Sequence, residues 1–198
     1  MEAEPLTRPV ASSGSIVFET ALGFMGLAWG EKGVTRLFLA EERRDSVERR
    51  LLRAAGPVAA SPTPAGRMPA WVEQLIAAIQ AYAGGEEVDF SAVAVDLAGV
   101  DDFRLAIYAA ARKLGFGETT TYGELARRAG HGGLPRETGA ALGANPVPLI
   151  IPCHRILAAG GKIGGFSAPG GSASKEKMLA LEGVRVGPPP PAQTSFGF

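Results

Sequence analysis

The pattern of apolar and polar positions divides the chain into two textures. Ile16-Val17-Phe18-Glu19 and Gly26-Leu27-Ala28-Trp29 have the β-branched and aromatic content of short strands. Gly30-Glu31-Lys32-Gly33 is a turn into residues 34–39, which predicts a hairpin. Residues 45–55 set spaced apolar residues among many charges and read as an exposed helix. Residues 71–83 put Trp71, Leu75, Ile76, Ile79 and Tyr82 on one helical face, and Gly84-Gly85 ends it. Between these helices residues 57–69 are a Pro-, Ala- and Ser-rich connector, and residues 90–97 have strand character.

The second texture begins at Gly99-Val100-Asp101. Phe103, Ile107, Ala110 and Leu114 recur at core spacing and predict a helix over 103–114, with Gly115 at its C-terminal cap. Thr121 and Glu124 match a capping box, in which hydroxyl and carboxylate satisfy free backbone donors, so a helix over 122–129 follows. Residues 130–134 break it. Pro135 can open another, over 136–144, because a first-turn proline loses no hydrogen bond. That helix is rich in small residues, Gly139, Ala140 and Ala141. Helix, Gly-rich turn and helix have the spacing of a helix-turn-helix, which packs cores in some proteins and binds DNA in others. The expected organisation is a loose tail at 1–13, an N-terminal domain at 14–97, a second domain at 98–186, and a loose Pro-rich tail at 187–198.

Composition changes this picture only in places. With 198 residues and 46% hydrophobic content the chain can bury a good core. No apolar run approaches the roughly 20 residues of a membrane span, and Met-Glu-Ala-Glu-Pro lacks the basic flank of a leader, so a soluble, cytoplasmic or nucleoid-associated protein is expected. Lys plus Arg equals Asp plus Glu at 20 each, but residues 101–198 hold 11 basic against 7 acidic side chains, which suits an anionic partner on that half. One cysteine rules out an internal disulfide, and two histidines leave little for zinc; no metal is expected.

The cysteine segment carries the chemistry. Asn145-Pro146-Val147-Pro148-Leu149-Ile150-Ile151-Pro152-Cys153-His154-Arg155 has three prolines in seven residues, which forbid a helix, and its apolar middle predicts a buried extended segment delivering Cys153 to a fixed point. A lone cysteine is commonly a small core residue. Here a neighbouring imidazole and guanidinium can both favour the thiolate, although in a continuing strand Cys153 and His154 would face opposite ways, so the chain must turn.

Pro152-Cys153-His154-Arg155 preceded by Asn145-Pro146-Val147-Pro148 resembles the active-site signature of the O6-alkylguanine-DNA alkyltransferases. Gly115-Phe116-Gly117-Glu118, Thr121-Tyr122, Arg136, Gly165-Phe166-Ser167, Lys175-Glu176 and Leu181-Glu182-Gly183 follow in the family's order, over roughly residues 99–184. The resemblance implies an α+β fold: a small N-terminal α/β (ribonuclease H-like) domain, then a mostly helical domain carrying the helix-turn-helix and the cysteine. It implies a monomeric, single-use repair protein that moves the alkyl group of O6-alkylguanine, and of O4-alkylthymine, from double-stranded DNA onto Cys153 with no cofactor. His154 is then the general base held by Glu182, and Asn145 ties the helix-turn-helix to the active-site turn. Tyr122, Lys175 and Ser167 steady the leaving base in a pocket bordered by Pro148 and Phe166, and Tyr122 also binds DNA, pushing on the adjoining phosphate to help turn the nucleotide out. Arg136 fills the space of the extruded guanine while Gly139, Ala140 and Ala141 let the helix approach the minor groove.

Two departures stand out. Glu137 and Thr138 are polar where the family has small apolar residues facing DNA, which implies weakened binding, and the 167–172 loop is about two residues longer than in the family. Three other readings of the thiol remain: a module that binds alkylated bases without transfer, a cysteine hydrolase using Cys153, His154 and Glu182, and a redox thiol, which lacks a resolving cysteine and would need an external one.

Overall fold

The computed structural model describes residues 13–55 and 68–186, so the expected tails, Ser13 apart, and most of the 57–69 connector lie outside it. Strands β1 (Gly14–Thr20), β2 (Gly23–Gly30) and β3 (Gly33–Glu41) form one antiparallel sheet in that order. Alternation sorts β2 between two faces: Met25, Leu27 and Trp29 enter the main core, whereas Ala28 joins Val17 beneath helix α1 (Arg44–Ala55). The close seating of α1 depends on Gly26, where a Cβ would stand 2.7 Å from Val47 and 3.0 Å from Leu51. The helix expected to be exposed therefore buries Val47 and Leu51, leaving Leu52 and its charges to solvent. The charges diluted its apolar stripe but did not remove it.

Helix α2 (Ala70–Ala83) covers the other face with Trp71, Val72, Leu75, Ile76, Ile79 and Tyr82. This core continues without a break into the second half of the chain, through Ile107, Leu125, Ile150 and Met178. A backbone hydrogen bond from Leu37 N–H to Pro146 C=O, 3.0 Å, links β3 directly to the cysteine segment.

Residues 90–97 do not form the expected strand. They touch the sheet at a single parallel bridge, Val34 with Val95. The cause is local: Asp89 accepts from the Ser91 N–H and Asp96 from the Ala98 N–H, and these side chains turn the backbone out of the ladder at both ends.

Helix α3 (Asp102–Ala111) starts on an Asp101 cap to the Arg104 N–H and stops at Arg112, before Leu114 and short of the expected Gly115 cap. The chain leaves it through tightened turns, Lys113 to Ala110 and Leu114 to Ala111. Helix α4 (Tyr122–Arg128) is capped by Thr121, whose hydroxyl accepts from the Glu124 N–H at 3.2 Å. The reciprocal arm of the capping box is missing, because Glu124 is taken by Arg127 and Arg128. Helix α5 (Pro135–Gly143) opens on proline as the sequence predicts, and α6 (Gly171–Leu181) closes the domain. A short parallel pair, β4 (Thr120–Thr121) with β5 (Ile156–Leu157), ties the start of α4 to the chain just past Cys153. The fold is α+β, a three-stranded antiparallel sheet with helices followed by a helical half. No helix among the described residues is long and apolar enough to cross a membrane.

Candidate active site at Cys153

The segment before the thiol is buried, but it is a tight turn rather than an extended run. Ile151 N–H returns to Val147 C=O at 3.0 Å, and Leu149, 2% exposed, takes a φ of 77°, a left-handed conformation that costs a non-glycine residue about 1 kcal/mol or more. Three prolines removed the donors an extended ladder would need, and Asn145 supplies the replacement. Its amide donates to Ile151 C=O at 2.9 Å and its carbonyl accepts from Val147 N–H at 3.0 Å, stapling both ends of the turn. The chain then enters a 3-10 turn, Cys153–Arg155, which removes the strand alternation and lets consecutive side chains act on one site.

Glu182, at the end of α6, is the hub. Oε1 accepts from His154 Nε2 at 2.7 Å, Tyr82 Oη at 3.0 Å and Arg155 Nη2 at 3.0 Å. Oε2 accepts from Arg155 Nε and Gly117 N–H, both at 2.9 Å. Burial alone would raise this carboxyl; the bonds from His154 and Arg155 overcome it and bring it down to about 2, so Glu182 is an anion and an acceptor only. Nε2 of His154 therefore carries the proton. Nδ1, buried and without a hydrogen-bond partner among the described residues, is left with its lone pair. Burial lowers the imidazole's pKa, Glu182 opposing, so His154 is neutral and basic at that nitrogen.

The thiol is not a resting thiolate. Burial pushes Cys153 up, and the Asn145 amide and Lys175 ammonium only partly offset it. Arg155 does not serve the sulfur, as its neighbouring position suggested; its guanidinium is spent on Glu182 and on Leu114 C=O, 2.6 Å away. A thiol in this state needs a base before it can act as a nucleophile.

Two cavities border Cys153. The larger, about 510 Å³, is lined by Tyr122, Gly139, Gly164, Gly165, Phe166 and Ser167. The smaller, about 310 Å³, lies toward β3 and includes Asn145, Pro148 and Phe166. Between them Ser167 donates to Gly143 C=O at 3.1 Å. Tyr122 donates to Gly165 C=O at 3.2 Å. Lys175, fully buried, lies behind Tyr122, with Nζ 3.5 Å from its hydroxyl and hydrogen-bonded to Ile156 C=O. It lines neither cavity, and its approach to them runs through the Tyr122 hydroxyl.

On α5, Arg136, Glu137 and Ala140 are exposed and Gly139 is half-buried, with the Tyr122 ring 3.8 Å from where a Cβ would stand. Ala141 is a correction: it is 4% exposed and faces inward, where its carbonyl accepts from Tyr108. Thr138 also turns inward, its hydroxyl satisfied by Leu134 C=O, so the polarity that seemed to confront DNA is spent inside the fold. Sequence reasoning missed Tyr82, which looked like one more core aromatic of α2; nothing in the local pattern marks a hydroxyl that meets Glu182 a hundred positions later.

Residues 102–184 match the family model described as 6-O-methylguanine DNA methyltransferase, DNA binding domain. The methylated-DNA–protein-cysteine methyltransferase of Methanothermobacter thermautotrophicus is 33% identical over 162 residues, 82% of this chain and 81% of that one. A DNA base-flipping protein of Thermus thermophilus is 41% identical over 107 residues, 54% of this chain and 70% of that one. The crystal structure of Mycobacterium tuberculosis OGT in complex with DNA superimposes with a TM-score of 0.66 at 30% identity, covering 85% of this chain and 92% of that one. Sequence kinship over four-fifths of both chains, with a shared fold, shows that the chain belongs to the methylated-DNA–protein-cysteine methyltransferase family of DNA repair proteins.

Proposed function

We propose that the chain repairs double-stranded DNA by taking the alkyl group of O6-alkylguanine, and of O4-alkylthymine, onto Cys153 in one irreversible transfer. The observation that carries this reading is a buried thiol bordering a cavity while the next residue, His154, donates Nε2–H to an ionised Glu182 and keeps a bare Nδ1. In the step, sulfur bonds to the alkyl carbon and the carbon–O6 bond breaks, its electron pair staying on guanine. The thiol proton passes to His154 Nδ1, directly or through water, and Glu182 steadies the imidazolium. Guanine takes a proton from the Tyr122 hydroxyl side of the cavity, which Lys175 backs. A thioether has no easy return to a thiol, so one chain repairs one lesion, and a reducing cytosol keeps the acceptor free.

The exposed face of α5 suits the minor groove, with Gly139 and Ala140 allowing close approach and Arg136 replacing the turned-out base. All groups the reaction needs lie on one chain, which supports action as a monomer. One relative is named a DNA base-flipping protein, and the alternative reading is recognition of the base without transfer. Intact mass separates them: after incubation with duplex DNA carrying O6-methylguanine, one methyl per chain is expected, and none in Cys153→Ala. Unmodified protein with unrepaired DNA overturns transfer, and repeated turnover indicates a hydrolase.

Glu137, exposed beside Arg136 on the same face, gives a second test. Glu137→Ala should tighten duplex binding roughly threefold at low salt by removing a repulsion from phosphate. It should also cost about 0.5 kcal/mol of stability, because a first-turn carboxylate favours the helix dipole. Titration of labelled duplex reads the first and urea unfolding the second; unchanged affinity would mean that this face of α5 does not meet DNA.

A further inference from the structure

Tyr82 sits at the end of α2, outside residues 102–184, and is 1% exposed. Its ring is held edge-on by Phe90, Phe116 and His154, at centroid distances of 5.9, 6.2 and 6.4 Å. Packing alone would be served by phenylalanine, since a buried hydroxyl costs stability unless it is hydrogen-bonded. This one donates to Glu182 Oε1 at 3.0 Å and stands 3.4 Å from His154 Nε2. It shares the oxygen that orients the imidazole.

The geometry points to Tyr82 as a positioning residue for alkyl transfer, through which the N-terminal half of the chain sets the basicity of His154. Glu182 from the end of α6 and Tyr82 from α2 touch the His154 ring, Cys153 and Arg155 flank it in its own turn, and the Arg155 and Lys175 charges act on it from behind Glu182 and Tyr122. Glu182 favours the imidazolium, while burial, Arg155 and Lys175 disfavour it. A hydroxyl donating to Oε1 draws off part of the charge that would hold the imidazolium, so Tyr82 reinforces the second group and keeps Nδ1 free for the thiol proton. The phenol cannot exchange roles, because burial and the Glu182 charge both push its pKa up and leave it a donor.

This inference rests on the reading of His154 as the base. Its test is Tyr82→Phe in the full chain, with His154 followed by ring-nitrogen NMR and methyl transfer from an O6-methylguanine duplex timed over pH 5–9. Loss of one hydrogen bond to the shared oxygen should raise the His154 midpoint by about half to one pH unit, and the acid limb of the rate should move up with it. Phe90→Leu loosens the ring without touching the hydroxyl and should leave both where they are. An unmoved midpoint and acid limb in Tyr82→Phe, or an equal shift in Phe90→Leu, overturns the role. A wild-type chain that takes up no methyl overturns instead the transfer reading itself.

Discussion

Glu182→Gln should cost roughly a hundredfold or more in methyl-transfer rate and about 3 kcal/mol or more in stability. The change is nearly isosteric, yet the carboxylate takes donors on both oxygens, from His154, Tyr82 and Arg155 on one and Arg155 and Gly117 on the other. An amide NH₂ must face one of those donors. Whichever way it turns, Arg155, 5% exposed, keeps a buried charge with no counter-ion, and His154 loses the acceptor that fixes its tautomer. The wild-type pH profile checks the same point. Because the folded-state pKa is depressed from 4.5 to about 2, stability from this carboxylate is complete above the unfolded value and drains as pH falls through the window between them. A shift of that size corresponds to roughly 3 kcal/mol. Urea unfolding from pH 7 to pH 2.5 should show that loss in the wild type and a flatter profile in the variant. Equal midpoints at pH 7 would remove Glu182 from its place as the hub.

Legibility in the sequence followed how local each cause was. The β2–β3 hairpin, the buried face of α2 and the proline start of α5 are set by neighbours within a turn or two, and the residue pattern shows them. Readings failed where a side chain outbid the backbone pattern. Asp89 and Asp96 turn residues 90–97 away from a strand, and Arg127 and Arg128 take the Glu124 carboxylate from its cap. The run from Pro148 to Ile151 is apolar enough for a strand, but Asn145 bends it and Leu149 absorbs the strain. The partners of the hub come from α2, the loop after α3 and the 3-10 turn, and no spacing rule connects them. Lys175 is a different case. Its Lys-Glu-Lys setting suggests surface, yet with Met178 and Leu179 it falls at i, i+3 and i+4, the stripe that α6 buries, so periodicity does place it inside.

That burial makes Lys175→Met the sharpest separation of stability from function. Desolvation lowers the ammonium from 10.5 to about 8, with the Cys153 sulfur opposing. Between those values the unfolded chain binds the proton that the folded chain has released, so the Lys175 contribution to stability should rise as pH goes from 8 to 10.5, while the Cys153 thiol and the Tyr82 phenol, both pushed up by burial, work the other way and are common to wild type and variant. Below pH 8 the folded protein carries the whole burden of a buried cation, about 3 kcal/mol. Methionine removes it, fills a similar volume, and sets a thioether near the Tyr122 and Phe166 rings that the ammonium now approaches at 5.5 and 6.0 Å. Against this, Ile156 C=O loses its donor, a penalty of about 1–2 kcal/mol. The net expectation is a chain more stable at pH 7 by about 1–2 kcal/mol, with that advantage over the wild type shrinking as pH rises from 8 toward 10.5. Transfer should nevertheless fall roughly tenfold or more, because the ammonium lowers the Cys153 thiol and backs the Tyr122 hydroxyl as guanine leaves. Urea midpoints at pH 7 and 10 and single-turnover methyl transfer read the two halves separately. A variant that transfers at the wild-type rate would reduce Lys175 to a packing residue, and one that is less stable than the wild type by the same margin at pH 7 and pH 10 would show that the buried charge is not what the fold strains against.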